Sequence, residues 1–106
     1  MSQATASFVP AKSLSSGRTA RELVARGAVL LDVRTPEEFR DEHVPGAVNV
    51  PLQELTARLD EVGARDRTVV VYCRSGRRSA EAARLLQHAG FRHVHDMGAM
   101  LEWTNR

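Results

Sequence analysis

The chain has 106 residues, of which 42% are hydrophobic and 26% are charged, and this composition predicts one globular domain with a single modest core. The formal net charge is only +2 at pH 7 and aromatic residues make up 5%, which argues against a nucleic-acid partner. A lone cysteine excludes an internal disulfide and a multi-cysteine zinc site, and the histidines lack ligand-like spacing, so we expect neither a metal nor another cofactor.

The N-terminal segment is rich in serine and alanine. We expect residues 1–7 to be flexible and residues 8–106 to form the single domain, with Phe8 and Val9 in a short edge strand. The first residues lack the basic and apolar regions of a signal peptide, and the sequence has no apolar stretch long enough to span a membrane. These features predict a cytoplasmic protein with no membrane partner.

A helix and a strand are predicted in the first third of the chain. Thr19 and Glu22 have the spacing of a capping box and Gly27 is a typical helix stop, so we expect a short helix over 20–26. The apolar run that follows, at 28–32, is typical of a strand that is buried on both faces.

A second helix is predicted to begin at Pro36, because Thr35 precedes it as an N-cap and Glu38 stands at the capping-box position. This helix should end before the turn at 43–46. A short strand is predicted next, at 47–50, where proline then interrupts the pattern.

The second half of the chain continues the alternation of helices and strands. The predicted elements are a helix through Leu52, Leu55 and Leu59, a strand at 68–72, a helix at 79–89, a strand at 93–95 and a closing helix at 97–103. We expect Leu101 and Trp103 of the closing helix to fill the core.

Strands that alternate with helices indicate an α/β fold, in which a parallel sheet of about five short strands has helices on both faces. In such sheets the functional site lies beyond the carboxyl ends of the strands. Asp32 and Arg34 follow one strand end, and Cys73 and Arg74 follow another. We therefore expect these side chains to converge on one edge of the sheet.

Cys73 stands where a β-branched run gives way to a short polar loop and then to a helical pattern. The loop residues are Arg74, Ser75, Gly76, Arg77 and Arg78. Backbone N–H groups of such a loop and of the helix start favour an anion, and the arginines add positive charge. This setting favours a thiolate nucleophile that faces an anionic substrate. Two other interpretations remain open: a buried cysteine that serves as a small hydrophobic residue, and a phosphate or sulfate site beside an inert thiol.

Three segments and a dipeptide resemble the rhodanese-like sulfurtransferase domain in their order and spacing. They are Leu31–Phe39, His43–Pro51, Val71–Ser79 and Gly90-Phe91. The resemblance runs from about residue 8 to Trp103, which is nearly the whole chain, and its extent is that of the single-domain type. It implies a rhodanese-like three-layer fold.

The resemblance also implies a mechanism. Cys73 would take the outer sulfur of thiosulfate, release sulfite, and hold a persulfide until a thiol or cyanide accepts the sulfur. The loop at 74–78 would bind the donor and cradle the persulfide. The expected partners are therefore a small anionic sulfur donor and a thiol or cyanide acceptor.

Four residues outside the loop are expected to support the site. Asp32 and Arg34 match the family's Asp-x-Arg motif and should pair with each other. Ser79 follows the loop directly, and His43 matches a family histidine to which we assign a structural role.

The spacing after Cys73 bears on alternative reactions. Phosphatases that share this fold need Cys, five residues and then Arg, but Ser79 occupies the place of that arginine and Arg78 comes one residue early. A loop that is one residue short should fit a sulfur-bearing group better than a phosphate ester. Mercaptopyruvate is a less favoured donor, because the resemblance would then favour a less charged loop.

Two points concern which loop arginines face the sulfur donor and which molecule accepts the sulfur. Because a short loop alternates its side chains between pocket and solvent, we expect Arg74 and one of Arg77 and Arg78 to face the donor. The Cys73 persulfide could alternatively pass to a partner protein, in a sulfur-relay or docking module with little turnover of free thiosulfate. The sequence leaves the choice between enzyme and relay open, and also the oligomeric state.

Overall fold

The sheet and its helices are seen in a computed structural model, which describes residues 11–104. In chain order the elements are helix α1 (Ala11–Ala25), strand β1 (Val29–Asp32), helix α2 (Pro36–Asp41), strand β2 (Val48–Asn49), a 3₁₀ helix (Leu52–Glu61), strand β3 (Thr68–Cys73), helix α3 (Arg77–His88), strand β4 (His93–Ala99) and a second 3₁₀ helix (Met100–Trp103). The predicted flexible segment at 1–7 and the predicted strand at Phe8 and Val9 lie outside the described residues.

Across the described residues the sheet has four strands in the order β2-β1-β3-β4, and all neighbours are parallel. Strand β3 is therefore central, with a hydrogen-bonded neighbour on each side. In register, Asp32 at the end of β1 lies opposite Tyr72, the residue before Cys73. The predicted α/β class with a parallel sheet is confirmed.

Alternation along β3 divides the core into two layers. Val69, Val71 and Cys73 pack on the side of the sheet that the first 3₁₀ helix and α3 cover. Val70 and Tyr72 pack on the opposite side, against α1 and the second 3₁₀ helix. Because both faces of the sheet are covered, the strands are apolar throughout, and the predicted three-layer arrangement is confirmed.

Helix α2 begins as its sequence predicts. The N–H of Glu38 donates to Oγ1 of Thr35 at 3.1 Å, and the N–H of Thr35 donates to Oε1 of Glu38 at 2.9 Å, with Pro36 in the first turn. Just after the helix, the ring of His43 stacks on Phe39 with centroids 3.7 Å apart. The Nδ1 atom of His43 also lies 2.7 Å from the carbonyl oxygen of Phe39, so this histidine closes the end of α2.

Helix α1 begins at Ala11, nine residues before the predicted range of 20–26, so that boundary was wrong. Contacts with distant residues account for the earlier turns. Ser16 Oγ donates to the carbonyl of Met97 at 2.9 Å, and Gly17 lies against the backbone of Glu102. These contacts attach the helix at Ser16 and Gly17, ahead of the predicted start, to β4 and the second 3₁₀ helix, and a local capping pattern contains no sign of them.

The C-terminal elements also differ from the prediction. Strand β4 continues to Ala99, so Met97 is a buried strand residue and not the start of a helix. The closing element is a single 3₁₀ turn in which Leu101 is 72% exposed, so its predicted place in the core was wrong. Trp103 is partly buried and packs against the core. Strand β4 pairs with the whole length of β3, which explains why it is longer than the predicted strand at 93–95.

Two further helices have different limits or geometry from those predicted. Helix α3 starts at Arg77, two residues before the predicted range, because Gly76 forms its N-cap. The segment through Leu55 is a 3₁₀ helix whose backbone leaves helical geometry at Arg58. Its leucine spacing nevertheless directs Leu55 into the core, where the side chain is fully buried.

Candidate active site

Cys73 ends the central strand, and its side chain is only 1% exposed. Its sulfur accepts two backbone hydrogen bonds, from the N–H of Gly76 at 3.0 Å and from the N–H of Ser79 at 3.3 Å. Donors that converge on one atom stabilise negative charge there, so this arrangement can stabilise a thiolate at Cys73. A cysteine that served only as a hydrophobic residue would not need these two donors.

The loop reaches this geometry through Gly76. Its φ of 106° lies in the left-handed region, which residues with a side chain rarely adopt. The turn lets the chain pass from β3 into α3 within three residues and brings both donors to the same sulfur. Gly76 also packs beside the backbone of Gly98, where β4 departs from regular register with β3.

The start of α3 supplies further donors. The first N–H groups of an α-helix have no acceptor within the helix, and the helix dipole makes this end partly positive. Arg77 and Arg78 are the first two residues of α3. Ser79 is fully buried, and its Oγ donates to the carbonyl of Gly76 at 3.2 Å, which ties the first helical turn to the loop.

The three loop arginines have different surroundings. Arg74 and Arg77 are exposed. Arg78 is partly buried, and its Nη1 and Nη2 donate to the two carboxylate oxygens of Glu38 at 2.8 and 3.0 Å. The Arg78 hydrogen bond is the main cause that lowers the pKa of Glu38 to about 2. The charge of Arg78 is therefore already compensated within the protein.

The sequence indicated Glu38 only as part of a helix cap. Its second partner lies 40 residues further along the chain, where the capping pattern gives no signal. A hint was available, because a carboxylate begins the helix after one strand end and an arginine lies beyond the neighbouring strand end, and the carboxyl ends of parallel strands meet at the same edge of a sheet.

The predicted pair of Asp32 and Arg34 is present and buried. Arg34 Nη2 lies 2.7 Å from Asp32 Oδ2, and the two side chains are 5% and 0% exposed. The backbone N–H of Arg34 also donates to Asp32 Oδ1 at 2.9 Å. Burial opposes the guanidinium charge, but hydrogen bonds and attraction from Asp32 raise the pKa of Arg34 on balance.

Tyr72 extends this support across the sheet. Its hydroxyl accepts a hydrogen bond from the N–H of Val44 at 3.1 Å, and Arg34 Nη2 donates to the carbonyl of Glu42 at 2.6 Å. Burial is the main cause that raises the pKa of Tyr72, followed by its hydrogen bond to Asp32. The ends of β1 and β3 and the turn after α2 are thus joined in one network, and its member Tyr72 directly precedes Cys73.

Comparison with known proteins decides the family. The model of the rhodanese-like domain matches residues 16–106. This chain belongs to the rhodanese-like family. The matched range includes the whole Cys73 loop and the ends of β1 and β3. Sulfurtransferases are among the proteins to which this chain is similar.

One such relative is the thiosulfate sulfurtransferase PspE of Escherichia coli, which is 42% identical over 71 residues, covering 66% of this chain and 68% of PspE. The putative sulfur carrier protein YrkF of Bacillus subtilis is 40% identical over 78 residues, covering 73% of this chain but only 42% of YrkF.

Solved structures show the same fold. A rhodanese with anions from E. coli superposes with a TM-score of 0.70 at 37% identity, covering 76% of this chain and 95% of that one. The human single-domain sulfurtransferase TSTD1 gives a TM-score of 0.67 at 27% identity, covering 81% and 89%. Within residues 11–104, no helix combines the length and the apolar character that crossing a bilayer requires.

Proposed function

We propose that this protein transfers sulfane sulfur from thiosulfate to a thiol or to cyanide through a persulfide on Cys73. The Cys73 thiolate attacks the outer sulfur of thiosulfate. The sulfur–sulfur bond of the donor breaks, and its electron pair leaves with sulfite. An acceptor thiolate or cyanide then attacks the outer sulfur of the persulfide, which releases the Cys73 thiolate and forms a new persulfide or thiocyanate.

The observation that carries this proposal is the pair of N–H groups on the Cys73 sulfur. The thiolate form of Cys73 carries its charge on Sγ, and the donors from Gly76 and Ser79 are already aimed at that atom, which is both the nucleophile that attacks the donor and the leaving group in the second step. Preorganised donors in a site that excludes water stabilise charge without reorganising during the reaction. The sulfurtransferase PspE, at 42% identity, supports the same reaction class.

The loop also favours sulfur transfer over phosphate chemistry. Ser79 occupies the position where a phosphatase of this fold needs arginine, and its N–H and hydroxyl already bind Cys73 and Gly76. It therefore braces the loop, and no arginine side chain stands at that position to hold a phosphate ester. The relative with bound anions supports a small anionic donor.

A sulfur relay is the second candidate. The similarity to a putative sulfur carrier protein favours it, because the same Cys73 persulfide could be delivered to a protein acceptor. The first half of the reaction is identical in both cases. They differ in whether free thiosulfate and a small acceptor support repeated turnover.

Thiocyanate formation from thiosulfate and cyanide tests the proposal, with Cys73→Ser as the matched variant. The proposal requires turnover by the wild type and only background thiocyanate from Cys73→Ser with the fold intact by circular dichroism. Thiocyanate formation well above background in Cys73→Ser would remove Cys73 from the chemistry. One stoichiometric round without turnover would instead favour the relay.

A further inference from the structure

We infer that Glu38 is a positioning residue for the Cys73 loop: its carboxylate holds Arg78 in place and offsets that arginine's charge. The exposed Arg74 and Arg77 are then the loop residues that attract the anionic donor. This inference rests on the proposed sulfur transfer for its kinetic part only, because its electrostatic part concerns the Cys73 thiol itself.

The carboxylate of Glu38 is held from two directions. The N–H and the hydroxyl of Thr35 donate to Oε1 at 2.9 and 3.2 Å, and these bonds fix Glu38 to the start of α2. Arg78 then binds both oxygens in a fork, at 2.8 and 3.0 Å. Bidentate pairs of this kind constrain orientation as well as separation. The loop is therefore attached to an element that begins beyond the neighbouring strand.

The attachment point is next to the reacting sulfur. Arg78 directly precedes Ser79, whose N–H donates to Cys73 Sγ at 3.3 Å and whose Oγ donates to the carbonyl of Gly76. Gly76 provides the other donor to the sulfur. Restraint of Arg78 consequently restrains both N–H groups that hold the anionic sulfur.

The pair also sets the charge near the thiol. The hydrogen bond to Glu38 is the main cause that raises the pKa of Arg78. Arg78 directly precedes Ser79, whose N–H binds the Cys73 sulfur, so the ion pair lies beside the thiol site. Glu38 cancels the Arg78 charge there. Without Glu38, the field at the sulfur becomes more positive and the loop less fixed, so donor attraction should rise while catalytic geometry deteriorates.

Alkylation of Cys73 measures the electrostatic part without any sulfur chemistry. The readout is the rate with anionic iodoacetate divided by the rate with neutral iodoacetamide. At low salt, Glu38→Gln should raise this ratio about threefold, as expected for one uncovered charge a short distance from the sulfur. Glu37→Gln is the matched control, because Glu37 is 76% exposed and faces Arg40 at 4.0 Å.

A charge-balanced double variant separates charge from position. In Glu38→Gln with Arg78→Gln, both charges are gone, so the alkylation ratio should return close to the wild-type value. Both variants lack the restraint on Arg78. The kcat for thiosulfate should therefore be about tenfold below the wild-type value in Glu38→Gln alone and in the double variant. The thiosulfate KM should not rise in either variant. Urea unfolding confirms that each variant is folded under assay conditions.

The outcomes separate this inference from the proposed function. If wild type fails to turn over thiosulfate, the proposed function fails, and the alkylation ratios still test Glu38. If wild type turns over and Glu38→Gln matches Glu37→Gln in alkylation ratio and in kcat, the positioning role of Glu38 is overturned alone. A raised thiosulfate KM with unchanged kcat in the double variant would also contradict the inference, because Arg78, which that variant lacks, would then bind the donor directly.

Discussion

Asp32 and Arg34 stand two residues apart at the end of β1 and form a buried ion pair, with Nη2 and Oδ2 2.7 Å apart. Removal of one partner leaves the other charge buried and uncompensated, which costs about 3–5 kcal/mol. We therefore expect Arg34→Ala to lower the free energy of unfolding by about 3 kcal/mol in urea titrations. Arg40→Ala is the control, since Arg40 is exposed and should change stability little. Equal stability of the two variants would contradict the structural role of this pair.

The pair of Glu38 and Arg78 predicts a pH dependence of stability. Glu38 has an ordinary pKa of 4.5, and its folded pKa is lowered to about 2, chiefly by the Arg78 hydrogen bond. Its contribution is thus fully present above about pH 4.5 and is lost as the pH falls toward 2. Because both side chains are partly exposed, Glu38→Gln should cost only about 1 kcal/mol at neutral pH.

Urea unfolding of wild type and Glu38→Gln at neutral and acidic pH measures this difference. Glutamine keeps the capping box, so the comparison isolates the charge. The stability gap should narrow steadily below about pH 4.5. A gap that stays constant as the pH approaches 2 would show that the ion pair does not lower the pKa of Glu38.

The packing of Gly17 predicts that Gly17→Ala destabilises the protein, although the same change usually stabilises a helix. In a free helix, Gly→Ala stabilises by about 1 kcal/mol. Here a Cβ at Gly17 would collide with the backbone of Glu102, and overpacking of this kind costs about 1–3 kcal/mol. We expect Gly17→Ala to lower the thermal midpoint, whereas Arg18→Ala at the adjacent exposed position should not. A stabilised Gly17→Ala would mean that α1 and the second 3₁₀ helix do not touch at this point.

The exposed positions of Arg74 and Arg77 predict that their charges attract the donor and lower its KM. Thiosulfate is a dianion, so Arg74→Ala and Arg77→Ala should each raise its KM about three- to tenfold with little effect on kcat. Higher ionic strength should raise the wild-type KM and reduce the difference between wild type and variants. Arg84→Ala, on the exposed side of α3, is the control. An unchanged KM in both loop variants and at high salt would point to a protein persulfide as the donor.

The sequence predicted those features that depend on local signals. The capping box at Thr35 and the apolar runs at 28–32 and 68–72 correspond to structure because hydrogen bonds within a helix turn and burial on both faces have short sequence patterns. The pairing of Asp32 with Arg34 was expected from the resemblance to the family's Asp-x-Arg motif, and the two side chains are hydrogen-bonded.

Features that arise from distant contacts were not predictable in this way. Helix α1 begins early because Ser16 and Gly17 contact residues more than 80 positions away. Leu101 is exposed because the chain makes only one 3₁₀ turn after β4, and its apolar character gave no sign of this. The contact of Glu38 with Arg78 joins two strand ends through their side chains, so it required the three-dimensional arrangement.

Intact mass spectrometry after incubation with thiosulfate tests the central claim most directly. The account predicts that wild type gains the mass of one sulfur atom, that cyanide removes it with formation of thiocyanate, and that Cys73→Ser gains nothing. The result does not depend on the physiological acceptor, so it applies to the enzyme and to the relay alike. A wild-type protein whose mass is unchanged by thiosulfate, or a Cys73→Ser variant that gains the same sulfur, would contradict persulfide formation on Cys73.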